Sequence, residues 1–143
     1  VMLFASQTWP EVTITREKGW DRLAHVAEPI MDEIIERFYT PGGTIIRAVA
    51  ANLVAGGSIT PHIDTLKSFA YGHRIHIPIT TNNLVRFMID GQPYRFEMGH
   101  VYEINNQITH SVLNAGKEDR ISFIFDYIPA DIAEQQKAVF VNG

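Results

Sequence analysis

The sequence predicts a mainly β domain resting on one amphipathic helix, and three observations lead there. From residue 44 onward, short β-branched and aromatic runs alternate with turn signals, the texture of a sandwich or barrel. Ahead of them one long stretch has apolar residues at helical spacing and is read as an N-terminal amphipathic helix, the first element of the chain. A length of 143 residues suits one core and is too short for two ordinary ones, so residues 1–143 are read as a single domain.

The helical stretch is "WDRLAHVAEPIMDEIIERF", residues 20–38. It places Leu23, Val26, Ala27, Ile30, Met31, Ile34, Ile35 and Phe38 on one side, with Asp32, Glu33, Glu36 and Arg37 mostly on the other. Pro29 should kink or split it, and "TPGG" at 40–43 should end it, giving helical support over about 20–40. The β region, about 44–129, is expected to hold strands near 44–54, 59–64, 73–80, 84–90, 93–97, 100–103, 109–114 and 119–128. "DGQP" at 90–93 reads as a tight hairpin, because Asp-Gly suits the positive φ angles of a type I′ turn. A short helix at about 130–140 closes the chain.

Alternation inside the strands is informative. In "RIHIPI" (74–79), Ile75, Ile77 and Ile79 share one face, leaving Arg74, His76 and Pro78 on the other. In "RISFIFDY" (120–127), Ile121, Phe123, Phe125 and Tyr127 share a face, while Arg120, Ser122, Ile124 and Asp126 turn away. Two strands therefore aim cations into a common interior, which would attract carboxylates.

Composition removes several function classes. A net charge of −4 leaves no basic surplus for general binding to nucleic acid or an anionic membrane. With no Cys, the chain has no disulfide, thiolate nucleophile or Cys-ligated metal, so any metal must take His, Asp, Glu or carbonyl oxygen. No apolar run is long enough to span a bilayer, and residues 1–20 lack a signal-peptide pattern, so a cytoplasmic location is expected.

The chemistry is sought at "SITPHIDT", residues 58–65. On an extended strand His62 and Asp64 point the same way, and a third ligand from a distant strand would complete a triangle around a metal. The pair alone also fits a solvated turn. His110, in "ITHSV", is the best third ligand. Two imidazoles and a carboxylate on one face of an octahedral ion leave three positions open, the arrangement of non-haem Fe(II) oxygenases. His25, His73 and His100 read as structural or surface residues, and Arg86 and Arg95 as a solvated hairpin face. The loop "TLKSFAYG" (65–72) reads either as a lid or as an ordinary connection, and Asn105 and Asn106 as substrate contacts or a turn.

Taken together, "HRIHIPI" (73–79), "GHVYEINNQITHSVLNAG" (99–116) and "DRISFIFDYI" (119–128) resemble the aspartyl/asparaginyl β-hydroxylase family, a branch of the Fe(II)- and 2-oxoglutarate-dependent oxygenases that includes bacterial proline hydroxylases. The resemblance covers about residues 44–129. It implies a double-stranded β-helix, the jelly-roll barrel of cupins. It also implies His62, Asp64 and His110 as iron ligands, Arg120 as partner of one end of 2-oxoglutarate, and Arg74 with His76 near its iron-chelating end. The expected reaction uses O₂ to hydroxylate an unactivated C–H bond of an amino acid, a derivative of one, or an Asp, Asn or Pro side chain in a peptide, releasing succinate and CO₂. Two departures stand out: some animal members carry Gly where Asp64 stands here, and a hydroxyl residue used by some members is Ala51. A cupin-type metalloenzyme without 2-oxoglutarate, or a non-catalytic ligand-binding barrel, are the alternatives.

Overall fold

The computed structural model describes residues 1–6, 8, 9 and 11–134. In chain order the elements are β1 (Met2–Ala5), β2 (Thr15–Arg16), α1 (Lys18–Phe38), β3 (Thr44–Leu53), β4 (Ser58–His62), β5 (His73–Thr80), β6 (Val85–Ile89), β7 (Gln92–Tyr94), β8 (Tyr102–Ile104), β9 (His110–Asn114) and β10 (Arg120–Ile128). A 3₁₀ turn at Lys67–Ala70 lies between β4 and β5. Each strand expected after residue 44 forms, with its ends moved by a few residues at most. Residues 130–134 are helical, and the remainder of the helix expected at 130–140 lies outside the described residues.

Two expectations need correction at the start of the chain. The helix is not the first element, because "MLFA" pairs with β3 and, on its other side, with β2. Four residues are too few for a legible period, and only pairing with β3 makes them a strand. Nor does Pro29 split α1, which runs unbroken through it. Pro29 and His25 both sit on the exposed side, where water can satisfy the carbonyl that loses its partner. The buried stripe is also narrower than the sequence suggested: Ala27, Met31, Ile34 and Ile35 are covered, whereas Val26, Ile30 and Phe38 stay exposed. At its start α1 lies so close to β1 that a Cβ on Gly19 would come within 2.3 Å of the Met2 carbonyl oxygen.

The strands form two sheets, ordered β2-β1-β3-β10-β5-β8 and β4-β9-β6-β7. They do not close into one continuous barrel. The edge strands β2, β7 and β8 have two or three residues, and Pro93 in β7 has no N–H to extend a ladder. The hairpin between β6 and β7 turns through Asp90 and Gly91, both at positive φ, as Asp-Gly predicts.

The alternation of β5 and β10 sorts their residues into two cores. Ile75, Ile77, Phe123, Phe125 and Tyr127 pack against Ala27, Met31, Ile34 and Ile35 of α1. On the opposite face, between the sheets, a smaller cluster joins Leu53 and Ile104 to Val85, Phe87 and Val112. Arg74, His76, Arg120, Ser122 and Asp126 share this inner side.

Candidate metal centre

Three backbone features bring the candidate ligands together. His62 at the end of β4 pairs with His110 at the start of β9. Asp64, just past β4, is fixed by its own N–H, which donates to the Asn106 carbonyl at 3.0 Å, and by its carbonyl, which accepts from Gln107 Nε2 at 3.2 Å. Asn105 and Asn106 thus belong to a turn that pins the Asp64 backbone. One ligand atom from each of His62, Asp64 and His110 lies within 4.8 Å of the others.

The second nitrogen of each imidazole fixes its chemistry. His62 Nδ1 lies 2.8 Å from the Thr60 carbonyl, and His110 Nδ1 lies 2.8 Å from the Ile108 carbonyl. A carbonyl only accepts, so Nδ1 carries a proton in both rings, which leaves Nε2 as the nitrogen a metal would take. Those Nε2 atoms face Asp64 Oδ1 at 3.4 and 3.7 Å. Two imidazole nitrogens and one carboxylate oxygen are the donor set of a facial triad, and backbone hydrogen bonds to the far ring nitrogens are its usual support. The residues present therefore fit a divalent transition metal. His110 is buried and the Asp64 side chain is 9% exposed, while the His62 side chain is 38% exposed and opens the site to solvent on its side.

Arg74 stands beside the triad with its donors engaged. Its Nη1 donates to Asp64 Oδ2 at 2.6 Å, while Nε and Nη2 grip the two oxygens of Asp126 at 2.7 and 2.9 Å. Burial works against this charge, yet the Asp126 and Asp64 carboxylates outweigh it and hold the guanidinium pKa above its ordinary value. Phe69, from the 3₁₀ turn in the loop after Asp64, covers the guanidinium carbon at 4.1 Å. The ring of Tyr71 in the same loop stacks on Trp9 at 5.4 Å.

Deeper between the sheets the polar groups lack partners. Both ring nitrogens of His76 and Nε of Arg120 are buried without a hydrogen bond. Among the described residues no carboxylate lies within ion-pair distance of Arg120, and burial lowers its pKa from the ordinary value. His76 is pushed down to about 3, by burial first and then by the neighbouring Arg74 and Arg120 cations, so its ring is neutral. Its ring meets the edge-on faces of Phe87 and Phe96, and Phe87 in turn stacks against His110 at 6.3 Å. A narrow cleft between the sheets is lined by Pro78, Val85, Phe87, Phe96, Arg120 and Ser122.

Ser122 and Asp126 also face the site, although neither stands out in the sequence as a site residue. Alternation had put both on the Arg120 face, and a carboxylate in the apolar run "ISFIFDYI" was the available signal that a buried cation would meet it.

Residues 4–129 match the aspartyl/asparaginyl beta-hydroxylase family, and the chain belongs to it. That membership places it among hydroxylase-type enzymes. Two solved oxygenase structures agree on the fold. An oxidoreductase of the 2OG-Fe(II) oxygenase family from Burkholderia pseudomallei superposes with a TM-score of 0.65 at 12% identity, over 89% of this chain and 65% of that one. A non-heme monooxygenase, the ThoJ-Ni complex, gives 0.55 at 18% identity, over 76% and 52%. A Cupin 2 conserved barrel domain protein from Salinispora arenicola CNS-205 gives 0.48 at 16% identity, over 70% and 76%. This chain thus spans less than two thirds of the length of the two oxygenases. No curated protein matches it. Among the described residues no helix is long and apolar enough to cross a membrane.

Proposed function

We propose that this protein is an Fe(II)- and 2-oxoglutarate-dependent hydroxylase built on a double-stranded β-helix, with His62, Asp64 and His110 as its iron ligands. Arg120 is the observation that carries the reading. A guanidinium 6% exposed and, among the described residues, without an acidic partner is costly unless an anion completes it. It shares its sheet face with His76, and at the other end of that face Arg74 touches Asp64 of the triad.

A dicarboxylate suits this arrangement. Its distal carboxylate would take the two-pronged Arg120 guanidinium with the Ser122 hydroxyl alongside, since Ser122 follows on the same face of β10. His76 would offer one donor and one acceptor along the path toward the triad. Bound iron with 2-oxoglutarate and O₂ supplies the oxidising power for attack on an unactivated C–H bond. The protein's own residues position the ligands, neutralise the anion and keep water from the inner cleft. The substrate class is a free amino acid, a derivative of one, or an Asp, Asn or Pro side chain within a peptide, approaching from the open His62 side.

The test is O₂-dependent conversion of 2-oxoglutarate to succinate by protein reconstituted with Fe(II), across a panel of free amino acids and of peptides containing Asp, Asn or Pro. Succinate release that is stimulated by one panel member and lost in His110→Ala is expected. Substrate oxidation that proceeds without 2-oxoglutarate would instead assign a cupin-type oxygenase.

A further inference from the structure

Arg74 is the most heavily engaged cation in the described residues. Asp126 closes its Nε edge with two hydrogen bonds, at 2.7 and 2.9 Å, and Asp64 Oδ2 takes Nη1 at 2.6 Å. Asp126 is 2% exposed, and the Phe69 ring covers the guanidinium carbon, so water has little access to these bonds. An Arg gripped this way has one orientation, and so does whatever it grips.

A carboxylate can bind a metal through one oxygen or both. With Oδ2 tied to Nη1, Asp64 presents only Oδ1, the atom that faces Nε2 of both His62 and His110. We infer that Arg74, anchored by Asp126, is a positioning residue that holds Asp64 as a one-oxygen metal ligand and so keeps three positions of an octahedral ion open. The inference rests on His62, Asp64 and His110 being the ligand set. It gives Arg74 a different task from the one the family resemblance implies, contact with the iron-chelating end of the co-substrate.

The test is a double-mutant cycle read by Co(II) titration of the metal-free protein, followed by the visible d–d absorption, with no co-substrate and no turnover. Arg74→Gln should weaken Co(II) about 10- to 100-fold when Asp64 is present, the usual cost of losing a residue that orients a ligand. In an Asp64→Ala background the same change should cost less than about twofold, because the group it orients is gone. Asp126→Asn should act in the same direction and less strongly. Equal losses in both backgrounds, or unchanged affinity in Arg74→Gln, would overturn the inference while leaving the ligand set intact. Should Arg74→Gln lose cooperative unfolding, Arg74→Lys keeps the charge without the fork and serves in the same cycle. Failure of the unaltered protein to bind Co(II), or binding that survives His110→Ala, would overturn the ligand set and this inference together.

Discussion

The two faces of β5 and β10 are made from alternate residues of the same strands, and both are buried. Ile75, Phe125 and Tyr127, at 0 to 1% exposure, meet α1 in an apolar core, whereas His76, Arg120 and Asp126, at 2 to 6%, line the space between the sheets. The helix face stabilises the fold through apolar area removed from water. The inner face does the opposite at one end, because Arg120 and His76 are desolvated without partners among the described residues, and breaks even at the other, where Arg74 sits between two carboxylates. Depth alone therefore does not distinguish core from site. The presence or absence of a partner does.

The sharpest way to break this comparison is to truncate each face in turn. Phe125→Ala, on the helix face, should cost about 3 to 5 kcal/mol of unfolding free energy, read from urea denaturation, without altering the ligand atoms. A loss below about 1 kcal/mol would mean that the helix face is not the stabilising one.

Arg120→Met should move stability the other way. It removes an uncompensated buried charge at similar volume, so the ligand-free protein should unfold at a higher temperature, while 2-oxoglutarate binding weakens by about 2 to 5 kcal/mol. Calorimetry in the presence of Co(II) reads the second effect. Unchanged 2-oxoglutarate affinity would remove Arg120 from the binding site.

The most gradual expected effect is a slope with pH. His76 is held near 3 in the folded protein against an ordinary 6.5, so between those values the unfolded chain takes a proton that the folded one refuses. Stability should then fall as pH drops below 6.5, by about 1.4 kcal/mol per pH unit from this group, and show no contribution from it above that pH. His76→Phe should flatten that part of the urea-midpoint profile. Parallel profiles for the two proteins would show that His76 is not buried neutral.

The same comparison explains what could be read from the sequence. Period-2 alternation placed Arg74, His76, Arg120 and Asp126 on one side of their strands before any contact was known, because the pleat leaves no choice. H-x-D spacing pointed to His62 and Asp64 together, but β4 ends at His62 and the turn at Asn106 and Gln107 is what holds Asp64 there. Partnerships were not legible: that Arg74 would meet Asp64 and Asp126 while Arg120 met neither depends on the β10–β5 register, in which Asp126 sits opposite Arg74. Short elements also escaped. β1 exists because β3 offers it an edge, and the 3₁₀ turn that brings Phe69 over Arg74 has no period to detect.

The most direct measurement of the central claim is an anaerobic titration of the metal-free protein with Fe(II) and then 2-oxoglutarate, monitored for the visible charge-transfer absorption of iron-chelated 2-oxoglutarate. The account predicts that the band appears, that it is lost in His62→Ala, and that Arg120→Met needs far more 2-oxoglutarate to produce it. Tight Fe(II) binding with no band at any 2-oxoglutarate concentration would contradict it.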